Sequence, residues 1–101
     1  MAVYIIWSFQ VVASKQKTFE AVYGSKGAWA QLFRNSPFYK GTTLLKQLDS
    51  PLVYWTLDHW YDLKSFEEFY SSYISAYNEL DQKCAGLHLC EKKIGVFEIY
   101  L

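Results

Sequence analysis

The sequence predicts an α+β fold in which two helical segments cover one face of a single four-stranded antiparallel sheet. Strand-like runs near the start and the middle of the chain, an abrupt change to helical spacing at Asp62, and the order strand, helix, strand, strand, helix, strand support this prediction. The chain has 101 residues, of which 51% are hydrophobic and 20% aromatic. We therefore expect one folded domain over residues 1–101.

Residues 3–13 form the first predicted strand, because β-branched and aromatic residues dominate and the odd positions from 3 to 11 are all apolar. Ser14 is a candidate N-cap for the helix that follows, and Gly24 is predicted to end that helix in the left-handed conformation. Helical spacing resumes over residues 28–34. We therefore expect a long first helical segment that is broken at its glycines.

Two further strands, over residues 40–49 and 52–61, are predicted to form an antiparallel hairpin. The turn signal between them is Asp49-Ser50-Pro51. The second of these strands carries large side chains in both of its alternating phases, so both faces of the sheet require cover. Because the helices supply only one covering layer, we expect the other sheet face to contact a second copy of the chain in a homodimer.

The second helical segment is predicted to begin at Asp62, its N-cap, although Ser65 with Glu68 offers an alternative capping box one turn later. Gly86 is the predicted stop, and residues 87–101 form the last strand, whose polar middle is expected to contain a turn or a bulge. Apolar residues recur along the helix in steps of three and four. They are Leu63, Phe66, Tyr70, Tyr73, Tyr77, Leu80 and Cys84.

Charge and composition exclude several classes of partner. Ten Lys and Arg residues balance ten Asp and Glu residues, and the cations are scattered, so no nucleic-acid partner is expected. The apolar run over residues 2–7 is too short to span a bilayer and lacks the features of a secretory signal, so no membrane partner is expected. These observations predict a soluble, cytoplasmic protein.

No cofactor or metal ion is expected from the motifs. The sequence has no phosphate loop, dinucleotide fingerprint or nucleophile elbow. Cys84, His88 and Cys90 could be imagined as metal ligands, but their spacing matches no standard zinc pattern and a fourth ligand is not apparent. The simpler interpretation is one buried thiol at a helix end and another thiol in a strand.

The element order is that of the ferredoxin-like βαββαβ fold, and two such sheets packed face to face form a dimeric α+β barrel. Specific residues extend this interpretation. Asp58-His59-Trp60, the helix start over residues 62–66, and Phe69 resemble the antibiotic biosynthesis monooxygenase-like family of dimeric α+β barrels. The resemblance extends to Tyr23-Gly24, to residues 27–30 and to residues 91–97, and so covers most of the chain.

The resemblance implies a small apolar pocket between the helices and the sheet, with Trp60 on the pocket side. Tyr54, Thr56 and Asp58 would share that side, with Ile5, Trp7 and Phe9 in the first strand. The other phase of the aromatic strand would face the partner sheet. Its members are Val53, Trp55, Leu57 and His59.

Asp58 is the candidate catalytic residue, because a carboxyl group in an apolar cavity can accept a proton from a phenolic substrate. His59 points to the opposite face of the strand and cannot pair with it directly. The alternative is an ordinary hydrogen-bonded or solvated acid. The candidate substrate-binding residues, which could equally be core aromatics, are Trp7, Trp29, Phe33, Tyr54, Trp60 and Tyr73.

The function implied by the resemblance is a cofactor-independent monooxygenase that acts on a small aromatic or polyketide-like substrate. The alternative is a non-catalytic ligand-binding or dimeric assembly protein of the same fold. Haem degradation is disfavoured, because that branch uses an Asn on the first strand and a His on the second long helix. Here Trp7 or Ser8 stands where the Asn is expected, and no His occurs between Asp62 and Cys84.

Overall fold

The computed structural model describes residues 2–100. The strands are β1 (Val3–Val11), β2 (Tyr39–Lys46), β3 (Val53–Trp60) and β4 (His88–Glu98). The helices are α1 (Gln16–Tyr23), α2 (Ala28–Phe33), α3 (Leu63–Ser72) and α4 (Ile74–Cys84), with short 3-10 helices at Ala13–Lys15 and Ala85–Leu87. Within residues 2–100, no helix combines the length and the apolar character needed to cross a membrane.

The four strands form one antiparallel sheet in the order β2-β3-β1-β4. This arrangement confirms the predicted α+β, ferredoxin-like βαββαβ class and the hairpin between β2 and β3. The two faces of β3 differ in burial: Tyr54 and Trp60 are fully buried, whereas Trp55 is 37% exposed. The helices therefore cover one face of the sheet, and the opposite face is open in the single chain.

The first helical segment is broken at its glycines, as predicted, but its ends differ from the prediction. Ser14 lies inside the first 3-10 helix, and α1 begins without a side-chain cap. Gly24 has a φ of −73°, so it does not adopt the left-handed conformation. Glycine is required instead at Gly27, where an added Cβ would lie 2.2 Å from the carbonyl oxygen of Val22. Close approach of the backbone therefore explains this break.

The second helical segment begins as predicted, because the Asp62 side chain accepts a hydrogen bond of 2.7 Å from the backbone N–H of Ser65. The segment is divided into α3 and α4 at Tyr73, whose φ of −116° and ψ of 23° are not helical. The predicted stripe was wrong at Leu63, which is exposed. Phe69 is buried in its place, with its ring centroid 5.4 Å from that of Trp60.

β4 contains the irregularity that its polar middle predicted. Ile6 pairs with Gly95 but Trp7 pairs with Lys93, so Ile94 is one extra residue in β4. Gly95 has a φ of +156°, a conformation that favours glycine. Gly86, the predicted stop, lies in the second 3-10 helix without a positive φ. The bulge reverses the faces of Cys90 to Lys93, and a second register shift, between Gln10 and Val11 of β1, precedes this stretch in β4.

Candidate functional site

A cavity of about 390 Å³ lies between the covered sheet face and the helices. Most of its wall is apolar and aromatic, which is typical of sites for small organic ligands. The apolar and aromatic residues that line it are Ile5, Trp7, Phe9, Tyr23, Trp29, Phe33, Phe66, Tyr70 and Tyr77. The polar residues that line it are Thr42, Thr56, Asp58, Asp81, Glu91 and Lys93.

Four of the predicted site residues, Asp58, Trp7, Trp29 and Phe33, line this cavity. The other three are part of the packed interior and do not line it. The Tyr54 hydroxyl donates to Glu20 and accepts a 2.9 Å hydrogen bond from Gln16, both on the first helical segment. Trp60 lies fully buried among Phe33, Tyr39, Phe66 and Phe69, and Tyr73 stacks on Phe69 with a centroid distance of 5.0 Å.

Asp58 is the central polar group of the cavity. Thr42, directly opposite it on β2, donates a 2.7 Å hydrogen bond from Oγ1 to Asp58 Oδ1. The Tyr39 hydroxyl lies 2.5 Å from the same Thr42 oxygen. Because a threonine hydroxyl has one proton, Tyr39 donates to Thr42 while Thr42 donates to Asp58. These three side chains form a hydrogen-bonded chain that fixes one carboxyl oxygen of Asp58.

Burial raises the pKa of Asp58 to about 6, and the hydrogen bond from Thr42 opposes that shift. A carboxyl group with this pKa is largely ionised at pH 7 and above, yet it binds a proton more strongly than an ordinary aspartate does. That is the property required of a general base that works near neutral pH. Asp58 can therefore both accept and return a proton under mild conditions.

Thr42→Val is expected to raise the pKa of Asp58 further, since it removes the hydrogen bond that stabilises the carboxylate. Hydrogen bonds to charged groups contribute roughly 1.5 kcal/mol, so the titration midpoint is expected to move upward by about one pH unit. The measurement is the NMR chemical shift of the Asp58 side-chain carbonyl carbon across a pH series. Thr43→Val is the matched control, because Thr43 neighbours Thr42 on β2 and is exposed. An unchanged midpoint in Thr42→Val would contradict this account.

Charged residues on α4 and β4 complete the cavity wall. Asp81 comes from α4, whereas Glu91 and Lys93 pair with Phe9 and Trp7 on the covered face of β1. Burial, followed by the charges of Asp81, Asp58 and Glu91, raises the pKa of Tyr77 above its ordinary range. The field at this side of the cavity is therefore negative. Sequence reasoning missed these residues, because the bulge in β4 determines which face they occupy.

Trp29 lines the cavity and is 8% exposed. Within residues 2–100, its buried indole N–H meets no acceptor at full hydrogen-bond geometry. The N–H is still close enough to the Tyr23 hydroxyl and the Cys84 thiol to act on both as a hydrogen-bond donor, which opposes the rise that burial causes in the pKa of each group. The Trp29 N–H therefore has weak partners within the protein itself.

The Cys84, His88 and Cys90 set does not form a metal site in the described part of the chain. Among residues 2–100 there is no group of three or more His, Cys, Asp or Glu side chains that could hold a metal ion. Cys84 is buried, and Cys90 is exposed on β4 opposite Gln10. The His88 ring lies 5.3 Å from that of Phe9 and packs with the aromatic interior.

Solved structures share this architecture over almost the whole chain. SnoaB from Streptomyces nogalater, a cofactor-independent oxygenase, superimposes with a TM-score of 0.72 at 18% identity, and the alignment covers 99% of this chain and 94% of SnoaB. A provisionally named antibiotic biosynthesis monooxygenase from Bordetella bronchiseptica gives 0.76 at 17% identity, covering 99% and 98%. A provisionally named counterpart from Deinococcus radiodurans gives 0.76 at 13% identity, covering 100% and 94%.

The chain shares the fold of these structures. At identities below 20%, this likeness establishes the fold, whereas substrate and chemistry depend on the residues of the site. No protein-family model matches the sequence. No curated protein matches it significantly.

Proposed function

We propose that this protein is a monooxygenase that oxidises a small aromatic substrate with molecular oxygen and without a tightly bound cofactor. The observation that carries the proposal is Asp58, a carboxyl group with a pKa of about 6 in an aromatic-walled cavity. The fold shared with SnoaB, a cofactor-independent oxygenase, supports it. Trp7, Trp29 and Phe33 would contact the faces and edges of the substrate rings.

The proposed reaction begins when Asp58 takes a proton from an acidic CH₂ group of an electron-rich aromatic substrate such as an anthrone. The resulting carbanion transfers electrons to oxygen, a C–O bond forms, and the peroxide anion takes the proton back from Asp58 to give a hydroperoxide. Asp58 then takes the second C–H proton of the same carbon while the O–O bond breaks and a carbonyl group forms. The departing hydroxide takes that proton from Asp58, so CH₂ and O₂ become C=O and H₂O. The protein deprotonates the substrate, orients it and limits the access of water.

Oxygen uptake with anthrone tests this function. We expect consumption of one O₂ per anthrone, with one atom of ¹⁸O₂ in the anthraquinone product and the other in water. Anthraquinone, the same ring system without the acidic CH₂ group, is the control and should consume no oxygen. Binding of several anthrone-like compounds without uptake above the protein-free rate would contradict the proposal and favour the non-catalytic ligand-binding alternative.

We further propose that the open sheet face pairs with a second copy of this chain. Four strands spaced by about 4.8 Å and roughly eight residues long give about 500 Å² per face, or about 1,000 Å² for two facing sheets. This area treats each face as flat and leaves out the extra surface of protruding side chains. That area is at the lower bound for a stable interface. The face is mainly uncharged, with Trp55, Leu45 and Phe97 among its exposed residues. Such a self-complementary apolar face suits a two-fold dimer.

Trp55→Glu is expected to convert the dimer to a monomer, because it places a charge in the centre of the proposed interface. The measurement is molar mass by light scattering at about 10 μM, with a chain mass of 11.9 kDa. Leu48→Glu is the control, since Leu48 is 92% exposed in the turn between β2 and β3 and should leave the dimer intact. A wild-type protein that remains monomeric would overturn the proposed assembly.

A further inference from the structure

The cavity wall is asymmetric in charge. Three carboxyl groups, those of Asp58, Asp81 and Glu91, line it together with one ammonium group, that of Lys93. Asp81, Glu91 and Lys93 are exposed in the single chain, whereas Asp58 is partly buried, so the first three stand at the solvent side of the cavity. We call these three exposed residues, Asp81, Glu91 and Lys93, the rim of the cavity. An aromatic ring that enters the cavity therefore passes a rim whose net charge is negative.

Aromatic groups adjoin the acidic rim. Trp7, beside Lys93 in the β1–β4 ladder, and Tyr77, one helical turn before Asp81, both line the cavity. The negative faces of such rings attract cations, and indole is the most effective of them. Burial raises the pKa of Tyr77 most, and the charges of these three carboxylates raise it further, in keeping with their common place in the cavity wall. Carboxylates beside aromatic faces are the usual surroundings of a bound ammonium group.

The inner end of the cavity presents a different chemistry. Asp58 keeps one carboxyl oxygen for the hydrogen bond from Thr42 and has the other to accept a proton. A neutral phenolic hydroxyl group can donate to that free oxygen of Asp58, and an ammonium group suits the exposed rim.

We infer that the cavity selects aromatic ligands that carry a protonated amine, with the amine at Asp81 and Glu91 and a ring hydroxyl group at Asp58. This inference deepens the proposed function, on which it rests for the identity of the site, by naming the charge of the substrate. Cation attraction at a partly exposed site of this kind favours the amine over a neutral isostere by roughly threefold to tenfold. A carboxylate in the same position is disfavoured.

Three matched phenols test the inference by isothermal titration calorimetry with the full chain at pH 7.5. Tyramine is a cation, 4-ethylphenol is neutral and 3-(4-hydroxyphenyl)propionate is an anion, and all three share one ring and a similar chain. We expect tyramine to bind at least threefold more tightly than 4-ethylphenol, and the anion to bind least. Equal affinities, tighter binding of the anion, or no measurable binding of tyramine would overturn the inference.

Variants that change the charge of the rim test whether its carboxylates cause the preference for tyramine. Asp81→Asn combined with Glu91→Gln should remove the preference for tyramine while leaving 4-ethylphenol binding unchanged, and Lys93→Met should increase that preference. Glu79→Gln is the matched control, because Glu79 is on the same helix as Asp81 but does not line the cavity, and its carboxylate lies 3.2 Å from the Lys83 ammonium group. A preference that survives the double variant would overturn this assignment.

The binding and oxygen-uptake experiments fail independently. Tyramine selectivity without oxygen uptake from any substrate would remove the proposed monooxygenase activity and leave the amine-selective site. Oxygen uptake with anthrone but equal affinity for the three phenols would remove the amine-selective site and leave the proposed monooxygenase activity. Salt gives a further check, since the tyramine preference at an exposed rim should weaken as ionic strength rises.

Discussion

Asp58→Asn is expected to lower the rate of oxygen uptake at pH 8 by about 10²- to 10⁴-fold, the usual contribution of a general base. Asparagine keeps the size of the side chain and an oxygen that can accept the hydrogen bond from Thr42, but it cannot take a proton from the substrate. The measurement is the initial rate with anthrone under saturating oxygen. In the wild type, the rate should rise with pH through about 6, as the carboxyl group ionises. A variant with unchanged turnover would remove Asp58 from the mechanism.

The stability of the same variant shows whether lost activity reflects lost folding. The pKa of Asp58 is raised from 3.8 to about 6, so the folded state binds its proton more tightly than the unfolded state does. The contribution of Asp58 to stability is therefore most favourable at low pH and falls as pH rises from about 4 to 6, by no more than about 3 kcal/mol. Asp58→Asn lacks this titration, so urea unfolding at pH 8 should find it at least as stable as the wild type. A marked loss of stability would contradict the account.

The fold could be predicted because its signals are local and agree with one another. Alternation identified β1 and β3, the Asp49-Ser50-Pro51 turn identified the hairpin, and Asp62 identified a helix start that its capping hydrogen bond confirms. The division at Tyr73 was not predicted, because the apolar spacing continues through it without a glycine or a proline. Packing against the sheet, which the helical period does not encode, explains why Phe69 rather than Leu63 is buried.

Part of the candidate site could be predicted from the sequence. A hairpin centred on Ser50 pairs residue 42 with residue 58, so the pairing of Thr42 with Asp58 follows from the predicted turn, although the sequence analysis did not draw it. The positions of Glu91 and Lys93 in the cavity wall could not be predicted. One extra residue in β4, Ile94, reverses the sheet face that they occupy, and the sequence does not fix where that extra residue lies. The resemblance correctly placed Trp60 on the covered face, and the strand phase placed Asp58 with it, but the cavity boundary depends on where the helices lie.

Trp60→Ala is expected to destabilise the protein by about 3–5 kcal/mol, the usual cost of deleting a buried aromatic side chain. Trp60 is fully buried, and its ring centroid lies 5.3–5.6 Å from those of Phe33, Tyr39, Phe66 and Phe69. A loss of this size is a large part of the stability of a small domain and should lower Tm by roughly 15 °C or more. Thermal and urea unfolding followed by circular dichroism measure it. Tyr61→Ala, at the next and exposed position, should change stability by less than about 1 kcal/mol.

Trp60→Phe separates a packing role from contact with substrate. Phenylalanine refills most of the space, and it removes an indole N–H that is buried without a partner within residues 2–100, so the cost should be smaller than that of alanine. Because Trp60 does not line the cavity, the KM for anthrone in this variant should stay within about twofold of the wild-type value. A tenfold rise in KM with little change in stability would instead place the Trp60 ring against the substrate, as the resemblance implied.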